Sequence, residues 1–145
     1  MRFLKLVIMI TGLVFSGMAF AETPAKSVIL YKTPQCGCCE KYANYLRQNG
    51  FIVTVKPTHD LAVIKLKHSV PKGLEGCHTM LVDDHVVEGH VPLKTLKKLL
   101  RERPKIKGLS LPGMPRGSPG MSGRKTAPFT TFEFGQGRPK VYAVE

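Results

Sequence analysis

Beyond Phe20 the chain has no apolar run long enough to cross a bilayer, so no membrane span is expected in the rest of it. No internal repeat is apparent, which sets aside solenoid and propeller architectures. Acidic residues are scarce, 10 against 22 Lys and Arg, and the formal net charge is +12. At 145 residues the chain is too short for two ordinary hydrophobic cores. Cysteine is also scarce, with four in all, yet three of them fall within the stretch Cys36-Gly37-Cys38-Cys39. That concentration is the most informative feature present.

The N-terminus predicts a destination. Arg2 and Lys5 give a basic start, Leu6 to Phe20 is an apolar run, and Ala19-Phe20-Ala21 has the small-x-small pattern of a signal-peptidase site. The run is short for a membrane anchor. Residues 1–21 are therefore expected to be a cleaved signal peptide. Residues 22–145 are expected to form one domain that starts at Glu22, with a core over about 27–103 and an extension over 104–145. An exported protein rarely meets nucleic acid, so the basic excess does not point to that partner. Lys94, Lys97, Lys98, Arg101, Arg103, Lys105 and Lys107 read as the solvated face of a helix, with cations favourably placed near its C-terminus. An acidic partner or a membrane surface is the alternative.

Periodicity and breakers predict the elements. Ser27–Thr33 reads as a buried strand, followed by Pro34 and the cysteine loop. A helix from about Cys39 to Gln48 has Tyr42, Ala43, Tyr45 and Leu46 on its inner side and stops at Asn49-Gly50. Phe51–Lys56 reads as a strand. Asp60 to about His68 reads as a helix, with Leu61, Ile64, Lys65 and His68 at helical spacing and Asp60 able to cap it. Thr79–Val82 and His85–Glu88, joined by Asp83-Asp84, carry a hairpin signature. Pro92 opens a last helix with Leu93, Leu96, Leu99 and Leu100 on one face.

The resulting order, β-α-β-α-β-β-α, is that of a thioredoxin-like α/β fold, a mixed sheet flanked by helices. The stretch Gly108–Gly123 is too rich in glycine and proline for regular structure to be expected. A terminal hairpin is expected to pair Phe129–Phe134 with Lys140–Val144. In this fold class the first strand–helix junction and the loop before the third strand lie together. Cys77-His78 occupies the second of these places, so it is expected to meet the cysteine loop.

The chemistry follows from this placement. A cysteine at a helix N-terminus has its thiolate stabilised by free backbone N–H groups and the helix dipole. Cys36 is the expected nucleophile and Cys39 its resolving partner, because C-x-x-C spacing spans a first helical turn without strain. An oxidising compartment permits that disulfide, and it could also be purely structural. Cys38 and Cys77 are then free or paired with each other. Thiolates select soft ions such as Cu(I), and three cysteines in four residues suit bridging thiolates better than a closed tetrahedral zinc site. His78 is a candidate ligand beside Cys77. His90 is a candidate for either ligation or a capping or surface role. Met114 and Met121 either offer thioethers to Cu(I) or plug the loop onto the core. His59, His68 and His85 are expected at the solvent surface.

Taken together, the sequence resembles the periplasmic copper-resistance protein CopG family, which is distinct from the ribbon–helix–helix repressor of the same name. The resemblance rests on Cys36-Gly37-Cys38-Cys39, Cys77-His78-Thr79 and Val87-Glu88-Gly89-His90-Val91-Pro92. It extends through Gly108-Leu109 and Pro112-Gly113-Met114-Pro115 to Gly117-Ser118-Pro119-Gly120-Met121, and so covers essentially the whole chain after residue 21. It implies a thioredoxin-like domain, a multinuclear cysteine-bridged Cu(I) cluster and a copper-linked oxidoreductase role in metal tolerance. The ligands would be drawn from Cys36, Cys38, Cys39, Cys77 and nearby histidine. Copper ions, copper-efflux proteins and periplasmic redox proteins are the implied partners. A non-catalytic Cu(I) store or chaperone is the alternative function. A metal-free protein disulfide oxidoreductase fits less well, because ligands at Cys77-His78 would obstruct a protein substrate.

Overall fold

The computed structural model describes residues 25–145. The signal-peptide expectation for residues 1–21 and the start at Glu22 lie outside the described residues. Among the described residues no helix is long and apolar enough to cross a membrane.

Strand β1, Lys26–Lys32, alternates in burial: Val28, Leu30 and Lys32 enter the interior, and the intervening residues are less covered. Helix α1, Gly37–Gln48, starts two residues before the expected boundary and buries Cys39, Tyr42, Ala43 and Leu46. This i, i+3, i+4, i+7 spacing puts all four on one stripe. The helix ends at Asn49, whose side-chain amide donates to the Tyr45 carbonyl at 2.8 Å. Gly50 then takes the positive φ of +87° that ends a helix without side-chain strain. Strand β2, Phe51–Pro57, pairs parallel to β1, so α1 serves as the crossover that parallel strands need.

Helix α2, Leu61–Lys67, is shorter than expected, and the Asp60 side chain makes no capping bond. A 3-10 turn over Lys72–Leu74 leads to β3, His78–Val82, which runs antiparallel to β1 and sets His78 opposite Lys32. The Asp83-Asp84 turn joins it to β4, His85–Glu88. Helix α3, Leu93–Glu102, follows Pro92 and buries Thr95, Leu96 and Leu99.

After α3 the structure departs from expectation. Gly108–Ser110 forms a short strand, β5, paired parallel with β4. Glycine content argued against regular structure here. Gly108, however, lies where a Cβ would overlap the Val86 carbonyl oxygen, so the close strand approach requires glycine. Leu109 beside it is fully buried, and burying such a side chain contributes about 1.5–3 kcal/mol. Strand β6, Thr130–Phe134, and strand β7, Lys140–Val144, form the expected hairpin, and β6 pairs with β5. The extension thus widens the sheet to seven strands in the order β2-β1-β3-β4-β5-β6-β7.

Two apolar clusters lie in this framework. The larger joins Val28, Leu30, Met80 and Val87 of the sheet to Tyr42 and Leu46 of α1 and Leu96 and Leu99 of α3. The smaller gathers Val70 and Leu74 with Val86 and Phe134. This is a thioredoxin-like α/β fold with an enlarged sheet, and the N-terminus of α1 lies beside the start of β3.

Candidate metal centre

The site is built on the N-terminus of α1. Cys36 is the residue before the helix, with extended backbone angles, and its N–H bonds to the Thr33 carbonyl at 3.1 Å. Its side chain does not cap the helix, so the first-turn amides can favour thiolate charge. Cys36 and Cys39 form a disulfide with their Cα atoms 5.4 Å apart, and Cys38 and Cys77 are free. Three further sulfur separations are short: Cys36–Cys38 3.5 Å, Cys38–Cys77 3.8 Å and Cys39–Cys77 3.4 Å. The four cysteines therefore gather at one place, as the fold order predicts for residues so far apart in sequence.

A second ligand set overlaps the first. Cys39, Cys77, His78 and His90 bring one ligand atom each within 4.8 Å of one another. His90 Nε2 lies 3.2 Å from Cys77 Sγ, and its Nδ1 lies 2.5 Å from the carbonyl oxygen of Pro119. A carbonyl can only accept, so Nδ1 carries the proton and Nε2 presents its lone pair to the sulfurs. His78 Nδ1 is 3.7 Å from the same sulfur, and its buried Nε2 has no hydrogen-bond partner among the described residues. Nδ1 is thus the His78 nitrogen that faces the sulfur, and an imidazole beside the Cys39 and Cys77 thiols fits a soft metal ion.

Burial sets the protonation of these groups. It pushes the Cys77 thiol up to about 12, with the neighbouring Cys38 adding to the effect. It also holds His78 well below the usual imidazole range, helped by His90 and Lys65. His90 is lowered by burial, although its bond to Pro119 works in the opposite direction. Both imidazoles are therefore neutral at neutral pH and able to coordinate, while Cys77 keeps its proton until a cation displaces it. The Tyr42 ring packs 5.0 Å from each imidazole, centroid to centroid, and its hydroxyl donates to the Val91 carbonyl at 2.8 Å.

The glycine- and proline-rich extension closes over this arrangement. Gly120, at φ +82°, packs so tightly on α1 that a Cβ would lie 2.7 Å from the Tyr42 nitrogen and 3.0 Å from the Cys38 carbonyl oxygen. The Ser118 hydroxyl donates to the Pro115 carbonyl at 2.7 Å, and the Met121 N–H donates to the Ser118 carbonyl at 2.8 Å. Met114 and Met121 are half-buried on this strap, and Met121 directly follows Gly120.

The structure thus brings together Cys36, Cys38, Cys39, Cys77, His78 and His90. His90 is fully buried at the site and does not take the capping position before α3, which Pro92 occupies. His59 is exposed and His68 half-exposed, as expected. His85 is not at the surface. It is buried with Nε2 3.1 Å from the Pro104 carbonyl, because β4 is covered on both faces.

Several residues at the site escape a reading of motifs. Lys32 is buried and donates to the carbonyls of Thr33 and Pro34 at 3.2 and 3.1 Å, pinning the turn before Cys36, and it pairs with Glu40 at 3.2 Å. Its place in the Val28, Leu30, Lys32 alternation was the available signal. Lys65 and Glu88 form a buried ion pair beside Cys77. In sequence they read only as a helical position and a strand end.

Comparison with known proteins agrees with this geometry. Residues 74–121 match the family model described as "Protein of unknown function, DUF411". No curated protein matches the chain. Two solved structures, both of a copper resistance protein copG in two forms, superpose with a TM-score of 0.77 at 35% sequence identity. The alignments cover 83% and 85% of this chain and 98% of each matched chain. At that identity, over nearly the whole of the solved relatives, the chain belongs to the CopG copper-resistance protein family.

Proposed function

We propose that this protein is a periplasmic copper-binding oxidoreductase of copper tolerance, with copper as its substrate. The observation that carries the proposal is the convergence of four sulfurs and two neutral imidazoles on one disulfide-forming pair. Soft donors of this kind hold Cu(I), and sulfurs 3.4 to 3.8 Å apart are close enough to share ions between them. The reading therefore includes more than one Cu(I) per reduced chain, bridged by Cys36, Cys38, Cys39 and Cys77. His78 and His90 complete the ligand set, with Met114 or Met121 available from the strap.

The redox step is local to α1. Closing the Cys36–Cys39 bond removes two electrons and two protons from the dithiol, enough to reduce two Cu(II) ions to Cu(I). Reopening it takes the same electrons back from Cu(I) or from a periplasmic redox partner. Cys36 is the half-buried sulfur and the expected nucleophile, and Cys39 is the buried resolving partner. The copper then passes to an efflux partner. Export to the periplasm, with cleavage after Ala21, is part of the same reading and rests on the basic, apolar and Ala-x-Ala segments of residues 1–21.

One observation favours a second reading, that of a non-catalytic Cu(I) store or chaperone. Cys39, His78 and His90 are fully buried, which shields bound ions. Anaerobic Cu(I) titration followed by redox cycling with an electron acceptor separates the two. An oxidoreductase changes copper valence and the Cys36–Cys39 bond together, at two copper ions per disulfide. A store releases or retains Cu(I) with its thiols unchanged. Reduced protein that binds no Cu(I) eliminates both.

A further inference from the structure

The cysteines and histidines explain the ligands of the site but not the buried charge beneath it. Lys65 of α2 and Glu88, the last residue of β4, pair at 2.5 Å with both side chains shielded from solvent. Such pairs are expensive to desolvate, and apolar replacements of similar volume often stabilise a fold at least as well. The other bonds of the pair show what it holds.

They go to residues on either side of Cys77. Glu88 Oε2 accepts the backbone N–H of Gly76 at 2.8 Å, and Oε1 accepts the Thr79 hydroxyl at 2.5 Å. Lys65 Nζ donates to Thr79 Oγ1 at 3.1 Å and reaches the His78 carbonyl at 3.4 Å. The main chain of Glu88 accepts the Leu111 N–H at 3.1 Å and leads, two residues on, to His90. Where the two segments cross, a Cβ on Gly76 would overlap the backbone of Gly89, so they touch main chain to main chain. The pair therefore fastens the Cys77 segment to the strand end that carries His90.

We infer that Lys65 and Glu88 are positioning residues that hold Cys77 Sγ 3.4 Å from Cys39 Sγ and 3.2 Å from His90 Nε2. The purpose of this placement rests on the copper reading, but the placement itself can be measured without metal. In copper-free Cys36→Ser/Cys38→Ser protein, Cys39 and Cys77 are the remaining thiols. The yield of their disulfide in a glutathione redox buffer gives the effective concentration of one thiol at the other. Adding Lys65→Met/Glu88→Leu should preserve a cooperative melt yet lower that effective concentration by about tenfold or more, since small misplacements of reacting groups cost factors of this order. Val82→Ala, a cavity at the far end of β3, should weaken the fold and leave the effective concentration unchanged.

An undiminished effective concentration in the folded Lys65/Glu88 variant overturns the inference. An equal loss in Val82→Ala also overturns it, because the effect would then follow stability alone. Failure of the Lys65/Glu88 variant to fold does the same, by showing that the pair supports the whole domain. Wild-type protein that binds no copper would remove the copper reading and leave this measurement intact.

Discussion

His90 donates its Nδ1 proton to the Pro119 carbonyl 2.5 Å away, and this bond turns the bare Nε2 of the same ring toward Cys77 Sγ at 3.2 Å. The acceptor belongs to the glycine- and proline-rich strap and the ring to the loop before α3. An outer partner of this kind selects the tautomer and orientation of a ligating imidazole. The extension is thereby part of the site.

Gly120→Ala tests how the strap is seated. The backbone lies at φ +82°, and the added Cβ would approach the Tyr42 nitrogen at 2.7 Å. A left-handed conformation forced on a non-glycine residue costs on the order of 1–3 kcal/mol, and the overlap adds to it. Denaturant unfolding should show a loss of this size, and nitrogen NMR of His90 should show the Nδ1–H tautomer giving way to a mixture. Unchanged stability with an unchanged tautomer would mean that the strap does not govern the ring.

Cys77→Ser removes one sulfur from a segment remote in sequence from the other three. Because that sulfur touches both Cys38 and Cys39, the reduced variant should lose more than one copper ion, or hold the whole set more weakly. Peptide mapping should still find the Cys36–Cys39 disulfide, whose geometry lies within one turn of α1. Loss of a single ion, with the rest bound as tightly as before, would show independent sites.

Copper uptake should release protons. The Cys77 thiol, pushed up to about 12 by burial, is protonated at neutral pH, and Cu(I) must displace that proton to bind the sulfur. Affinity at this ligand should therefore rise with pH by about tenfold per unit below that pKa and fall correspondingly in acid. Titration in weakly buffered indicator should register the proton, and Cys77→Ser should release at least one fewer. Equal proton release by both proteins would exclude Cys77 as a ligand.

Tyr42→Phe removes the buried hydroxyl that satisfies the Val91 carbonyl. Leaving that acceptor without its partner should cost about 1–3 kcal/mol in chemical denaturation. The aromatic ring still packs against both imidazoles, so copper stoichiometry should be unchanged. A changed stoichiometry would give the hydroxyl a direct part in the site.

Intact-mass measurement of protein recovered from the periplasm should show a chain that begins at Glu22. A mass retaining residues 1–21 would overturn the signal-peptide reading.

Much of the framework was legible because it rests on local chemistry. Tyr42, Ala43 and Leu46 at helical spacing, Asn49-Gly50 as a stop, and Asp83-Asp84 between two apolar runs each specify an element with little help from the rest of the chain. The final hairpin was legible for the same reason. β5 was not: its three residues form a strand only because β4 and β6 flank them and because Gly108 tolerates the close approach of Val86.

At the site, the amino-acid sequence by itself determined the kind of chemistry: soft sulfur donors at a strand–helix junction, with a C-x-x-C pair able to close across one helical turn. Tertiary structure decided which distant residues join them. The pairing of β3 beside β1 carries Cys77 and His78 to the cysteine loop, and the strap fixes the tautomer of His90 through a main-chain carbonyl that leaves no mark in residue identity. The buried Lys65–Glu88 pair is likewise invisible in sequence, where a lysine and a glutamate 23 positions apart read only as a helical position and a strand end. Burial and long-range hydrogen bonds are properties of the packed chain, and only packing shows that these two charges face each other beneath Cys77.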